Sequence, residues 1–185
     1  DSSSVVNQLA SDVESIYATR SMFCAVKKDK SVVVWGYIGG PDLWTAAEPQ
    51  LAAGIETIIA GRYAFAAIVT GGKVVTWGDA FLGGDSSLQR PDLSSGVKTV
   101  VPSLNAFSAL KDDGSVVCWG MYPACEMSST FEELQSGVVA IYSADEAFAG
   151  VKADGSVVTW GHPDYGGSSS KKKNSDTASL SIIIP

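Results

Sequence analysis

The sequence holds few of the residues that carry catalysis or bind metals. Its 185 residues include one histidine and three cysteines. The cysteines, Cys24, Cys118 and Cys125, form no Cys-x-x-Cys pair, so the sequence indicates neither a zinc site nor a disulfide framework. We expect Cys24 and Cys118 to be small buried residues. The histidine, His162, lies in no nucleophile-elbow pattern, and we expect an exposed loop residue there.

Basic charge and long apolar runs are also scarce. The net charge is −7, and three of the 13 basic residues are consecutive in a serine-rich tail, at 171–173. A nucleic-acid partner needs a basic stripe, which this sequence lacks. No apolar run reaches the roughly 20 residues that span a bilayer, and residues 1–12 do not resemble a signal peptide. We therefore expect no nucleic-acid partner and no transmembrane segment, while peripheral association with a membrane complex stays open.

Other patterns that could bind a metal or a phosphate group are incomplete. Asp112-Asp113-Gly114 lacks the alternating oxygen ligands and the closing glutamate of a calcium loop. The Gly-Gly pairs are not followed by the Lys-Ser/Thr of a phosphate-binding loop. We predict no catalytic residue, no metal site and no cofactor, and hence a protein that is not an enzyme.

The strongest signal in the sequence is an internal repeat. Trp-Gly recurs at steps of 42, 42 and 41 residues, and a phenylalanine stands 12 residues before each of these tryptophans. A valine and a small residue form two further columns without gaps. Such a period predicts tandem copies of one small unit. The predicted units are 13–54, 55–96, 97–137 and 138–170, preceded by a segment at 1–12 and followed by a flexible tail at 171–185 in which 180–184 could add a strand.

Each unit has the pattern of three short strands, predicted in the first copy at 13–18, 22–27 and 31–35. Asp-Gly or Gly-Gly joins the last two strands in the later copies, a hairpin signal in which both central residues take positive φ. Asp29-Lys30 replaces it in the first copy, where we expect the least regular turn. The third strand is apolar on both faces, so it belongs in a covered sheet. Each connection is expected to add an irregular edge strand or one helical turn, and the repeat tryptophans are expected in the core.

The fourth unit resembles the repeat of the regulator-of-chromosome-condensation family. It reads Ala147-Phe148-Ala149, then Lys-x-Asp-Gly-Ser, a second apolar strand and Trp160-Gly161, and Gly166-Gly167 follows. The resemblance covers about residues 5–170, and the unit length is similar to the short variant in secreted bacterial propellers. It implies an all-β propeller of four tandem blades, either a closed four-bladed ring or an arc closed by a partner.

Two departures from that family limit what the resemblance implies. The family's usual ring has about seven blades, and its histidine position is held here by Met22, Ala64, Ala106 and Ala147. Neither nucleotide exchange nor β-lactamase inhibition is therefore expected. An arc of four blades would expose the apolar sides of its end blades. A compact ring, an assembly of two arcs, or capping by a partner would each cover them.

The function that the resemblance and the composition favour is a non-enzymatic protein–protein interaction or scaffold module. Aromatic residues are enriched where proteins bind one another, so the candidate partner contacts are the aromatic residues of the connections, Trp44, Phe81, Tyr122 and Tyr165. For Trp44 the alternative is packing within the first connection. The alternative function is an accessory subunit of a larger photosynthetic complex in the plastid membrane, because similar arrays are familiar mainly from photosynthetic algae.

Overall fold

Twelve strands form four separate three-stranded sheets in the computed structural model, which describes residues 2–37 and 41–168. The predicted strand at 180–184 and the tail at 171–185 lie outside the described residues. Each sheet is one blade. Blade 1 contains β1 (Val13–Ala18), β2 (Met22–Lys27) and β3 (Val32–Gly36). The others contain β4 (Ile55–Ala60), β5 (Ala64–Val69) and β6 (Lys73–Gly78); β7 (Val97–Pro102), β8 (Ala106–Lys111) and β9 (Val116–Gly120); and β10 (Val138–Ser143), β11 (Ala147–Lys152) and β12 (Val157–Gly161).

Every blade has the same antiparallel order, with its middle strand hydrogen-bonded to both neighbours. The register brings the repeat phenylalanine opposite the repeat tryptophan, as in the pair Phe23 and Trp35. The first strand of each blade carries a bulge at its second residue, so that this side chain has no cross-strand partner. The bulged residues are Glu14, Glu56, Lys98 and Val139. The predicted strand boundaries are confirmed to within one residue.

The two faces of a blade differ. One face, which we call the head face, carries the stacked phenylalanine and tryptophan, whose ring centroids lie 5.3 Å apart in the pair Phe65 and Trp77. The opposite face, the tail face, carries the side chains that alternate with them, such as Met22 and Cys24 in blade 1. Head face packs on tail face, because Phe65 and Trp77 of blade 2 share one buried cluster with Met22 and Cys24 of blade 1.

The same packing joins blade 2 to blade 3 and blade 3 to blade 4. The described residues show no corresponding cluster between blade 4 and blade 1. The first strands β1, β4, β7 and β10 lie side by side along one edge of the stack. The blades therefore form an arc of the propeller type that the repeat predicts. Closure of the ring stays a prediction.

Gly71 and Gly72 of the blade 2 hairpin both have positive φ, as predicted, but the turns of blades 3 and 4 differ from the prediction in their geometry. Asp113 and Asp154 do not have positive φ; only the following glycines do, and the loop has three residues rather than two. The aspartate accepts hydrogen bonds from the backbone and hydroxyl of the serine two residues later, at 2.9 and 2.6 Å in the third blade. The expectation of an irregular first turn was wrong. Lys30 takes φ +67°, and Asp29 bonds Ser31 just as its equivalents do.

The connections contain helical turns, as expected, but the first holds more. Residues Pro41–Leu51 form helix α1, about three turns long, which packs against β6. Its alanines, leucines and glutamate favour a helix more than the glycines and serines of the other connections do. Short helical turns occupy the others, at Ala80–Gly84, Ser87–Gln89, Glu132–Leu134 and Pro163–Tyr165.

The segment before β1 repeats the end of a connection. Its helical turn Ser3–Val5 is followed by a bond from the Leu9 backbone N–H to the Val5 carbonyl (3.1 Å), as Leu93 bonds Gln89 (3.0 Å). Asp12 has φ +62° where the later blades have glycine. The N-terminal segment is thus structurally part of the repeat.

The repeat tryptophans do not form one uniform core column. Trp77, Trp119 and Trp160 are buried, whereas Trp35 is only partly buried and its stacking partner Phe23 is exposed. This corrects the prediction for the first copy. Trp35 lies on the head face of blade 1, which no described blade covers.

This difference gives a matched pair of stability tests. Trp119→Ala should lower the free energy of unfolding by about 3–5 kcal/mol, because a buried aromatic is lost from a junction. Trp35→Ala should cost about 1–2 kcal/mol, since part of its surface is already in water. Equilibrium urea unfolding of both variants, at a protein concentration at which the chain is monomeric, measures the difference. Equal losses there would show that other residues of the same chain cover the blade 1 head face.

Candidate functional site

Each blade presents two kinds of loop at its two ends. The hairpin turns between its second and third strands lie at one end. At the other end, which we call the loop end, the short turn between the first two strands meets the start of the connection. Backbone hydrogen bonds tie these together, as from Asp79 to the Tyr63 carbonyl (3.1 Å) and from Met121 to the Asn105 carbonyl (3.0 Å). Connections therefore leave every blade from a fixed point.

The four aromatic residues predicted as partner contacts fall into three environments. Trp44 lies in α1 and packs edge-on against Trp77, with centroids 5.8 Å apart. Phe81 and Tyr122 are 84% and 72% exposed. Tyr165 is about half exposed and meets His162 edge-on. The structure brings Phe81 and Tyr122 together on one groove, and places Trp44 and Tyr165 elsewhere.

The Phe81–Tyr122 groove runs between the connections that follow blades 2 and 3. It has a volume of about 490 Å³. Its apolar walls are Phe81, Tyr122 and Leu88, which is 88% exposed. Cys118, Trp119 and Cys125 also line it. Three large apolar side chains in water around one groove are typical of an interaction surface.

The wall that carries Phe81 is held rigidly. The Asp79 carboxylate accepts hydrogen bonds from the backbone N–H groups of Phe81 (3.0 Å) and Leu82 (3.2 Å) and so caps the turn. The Trp119 indole N–H donates to the Gly83 carbonyl at 3.1 Å. Gly83 has φ +102°, and a Cβ there would overlap the Phe107 ring. This position therefore requires glycine.

The opposite wall is closed by a disulfide bond between Cys118 and Cys125, whose Cα atoms lie 5.5 Å apart. The expectation that the cysteines form no disulfide was wrong, although Cys118 is buried as expected. The signal available in the sequence was the pair of cysteines seven positions apart around Tyr122-Pro123. Short spacing alone could not distinguish a disulfide from two free thiols, because pairing depends on the direction of the Cβ vectors.

Tyr122 is further held by Glu126, which accepts a hydrogen bond from its hydroxyl. Hydrogen bonds from the Ser128 hydroxyl and backbone, and then from Tyr122, lower the pKa of Glu126. The same Tyr122–Glu126 bond raises the pKa of Tyr122. Asp85 lines the groove as well. The groove thus combines apolar walls with carboxylates at its margin.

The remaining candidates for chemistry have structural surroundings. His162 is half-buried rather than fully exposed, and its Nδ1 accepts a hydrogen bond from the Asp164 backbone N–H (3.1 Å), so it caps the turn Pro163–Tyr165. Burial raises the pKa of the Cys24 thiol to about 12, which keeps it unreactive. Among residues 2–37 and 41–168, no group of three or more His, Cys, Asp and Glu side chains could hold a metal ion.

Four three-stranded antiparallel sheets, stacked head face on tail face, define the described chain as a β-propeller arc like that of the regulator of chromosome condensation, RCC1. The structure is similar to yeast RCC1 (Prp20) bound to Kap60, with a TM-score of 0.55 and 16% identity over 80% of this chain and 43% of that one. It also matches Prp20p from Saccharomyces cerevisiae, at 0.54 and 16% over 80% and 44%.

A third similar structure is the ectodomain of the Physcomitrella patens receptor kinase CR4, with a TM-score of 0.51 and 19% identity over 80% of this chain and 39% of that one. The chain therefore spans less than half the length of each of these structures. At these identities the likeness shows the fold alone. A scan against protein-family models finds no match, and neither does a search of curated proteins.

The helices in the described part of the chain are all too short or too polar to cross a membrane.

The disulfide makes the Tyr122 wall sensitive to reductant. Opening a loop of this size should lower the free energy of unfolding by about 2 kcal/mol, because the unfolded chain gains entropy. Urea unfolding with and without a phosphine reductant measures the change. The double variant Cys118→Ala/Cys125→Ala is the control and should not respond to reductant. Identical midpoints for oxidised and reduced wild-type chains would contradict the pairing.

Proposed function

We propose that this chain is a non-enzymatic protein–protein interaction module that binds its partner over the Phe81–Tyr122 groove. The observation that carries the proposal is the exposure of Phe81, Leu88 and Tyr122 on walls that are held in place. Large aromatic side chains contribute most to protein binding when a rigid framework presents them, since little side-chain freedom is lost.

The structural neighbours support a protein partner. Yeast RCC1 (Prp20) is bound to Kap60 in one of these structures, and the other concerns the binding of Prp20p to Gsp1p and histones. Those partners bind the neighbouring proteins. For this chain they support only the general class of function, an RCC1-like blade array that binds other proteins.

The acidic margin of the groove favours a partner that is apolar at its centre and basic at its edge. Asp85 lies in the groove and Glu126 holds Tyr122. Exposed charges of this kind contribute to orientation and to the rate of association more than to affinity. We expect the apolar walls to contribute most of the binding affinity.

Photo-cross-linking with benzoylphenylalanine at position 87, where an exposed serine lines the groove, tests the proposal in extract from the native source. The double variant Phe81→Ala/Tyr122→Ala should capture at least tenfold less partner than wild type, because the truncation removes two interface anchors. Tyr37→Ala, which removes a 73% exposed aromatic of blade 1 outside the groove, is the matched control and should stay within twofold.

Unchanged capture by the double variant would contradict the proposal. If the captured proteins are the subunits of one stable photosynthetic membrane complex, the chain is an accessory subunit of that complex. Recovery of a single polypeptide would assign a scaffold with one partner.

A further inference from the structure

The head face of blade 1 carries apolar residues that every other blade buries. Ile16 is 58% exposed, while its equivalents Ile58, Val100 and Ile141 are 5–7% exposed. Phe23 is 44% exposed, whereas the repeat phenylalanines of the later blades are at most 2% exposed. The Phe23–Trp35 stack nevertheless has the same geometry as the buried ones, with centroids 5.2 Å apart and rings 13° from parallel. This face is already arranged for packing.

The described residues leave the tail face of blade 4 exposed in the same way. Val157 is 46% exposed, while its equivalents Val74 and Val116 are 6% and 5% exposed. Ala149 is partly exposed, although Cys24, Ala66 and Ser108 at the same repeat position are fully buried. Tyr142 adds a further exposed ring beside it.

The two ends of the arc are therefore one head face and one tail face, the pair that forms each of the three internal junctions. We propose that the head face of blade 1 binds the tail face of blade 4 in a second copy of this chain. A second copy supplies a neighbour for both exposed faces, with contacts of the kind that the fold already uses.

The charges of the blades support this direction of pairing. The net charge of the strand regions falls along the arc, from +2 in residues 13–36 to +1, zero and −2 in residues 138–161. Blade 1 carries Arg20, Lys27, Lys28 and Lys30 against Glu14 and Asp29, whereas blade 4 carries Asp145, Glu146 and Asp154 against Lys152. Head-to-tail contact brings the basic end to the acidic end, while head-to-head contact would join two basic ends.

One repeat position shows this complementarity at the level of a residue pair. Arg20, Arg62, Leu104 and Asp145 occupy it in the four blades. The Arg20 backbone N–H donates to the Arg62 carbonyl, and the Leu104 N–H donates to the Asp145 carbonyl, each at 2.8 Å. In the first junction both arginines lie against the Tyr63 ring. The same geometry between copies sets Asp145 beside Arg20, with opposite charges.

Pairing of two unlike faces is heterologous, and it closes only if the rotation between copies completes a ring. Two four-bladed arcs make eight blades, within the range of roughly four to eight that propellers adopt. We therefore expect a closed species of two copies, about twice the 19.2 kDa chain mass.

Mixing of single-face variants tests the proposal by sedimentation velocity on the full chain. Phe23→Glu breaks the head face and Val157→Glu breaks the tail face, so each variant alone should associate at least tenfold more weakly than wild type. An equimolar mixture should regain a 1:1 species, because one intact head meets one intact tail. Arg20→Asp and Asp145→Arg form a second pair, in which each change weakens association and the double variant restores it.

The matched control is Val139→Glu, the same substitution at a bulged position where the other blades carry Glu14, Glu56 and Lys98. It should leave association unchanged. Far-UV circular dichroism and the Tm of each variant confirm folding. A wild-type chain that stays monomeric at 100 µM or a mixture that fails to associate would overturn the proposal. So would a Val157→Glu variant that dimerises like wild type, since that would indicate pairing through like faces.

Discussion

A sheet of three short strands that is apolar on both faces cannot be stable alone, and the rest of this structure follows from that constraint. The stacked Phe65 and Trp77 need the flat face formed by Met22 and Cys24, and blades 3 and 4 repeat the arrangement. The blades must therefore be stacked in one direction. The connections have to return each chain segment from the end of a third strand to the start of the next first strand.

The repeat made much of the fold predictable, since columns at a fixed period must occupy equivalent places. The strand positions and the pairing of the second and third strands of each blade follow from columns such as Phe107 and Trp119 and from the turn signals between them. What the period could not show is that equivalent residues differ in exposure when a neighbour is missing. Trp35 has the same sequence surroundings as Trp119, yet it is only partly buried because no described blade packs on its face.

The candidate site was less predictable than the fold because it lies in the connections, where the copies diverge. Phe81 and Tyr122 could be chosen as exposed aromatics, but their sharing of one groove depends on how two loops are folded. Leu88 was missed since a lone leucine in a serine-rich loop has no periodic pattern. The disulfide between Cys118 and Cys125 joins an edge strand to a loop, and helix α1 replaces the irregular segment that loop composition had suggested.

The Asp-x-Ser turns give the hairpin end of the arc a chemistry of its own. Hydrogen bonds from the serine hydroxyl and backbone lower the pKa of Asp29, Asp113 and Asp154. A carboxylate whose pKa is lowered by folding stabilises the native state above its unfolded pKa, and that contribution is lost as the pH falls through the folded value. Acid therefore destabilises the hairpins of blades 1, 3 and 4. Blade 2, whose turn has Gly71 and Lys73 in place of the aspartate and the serine, is unaffected by this route. The four copies are thus alike in shape but unequal in their response to protons.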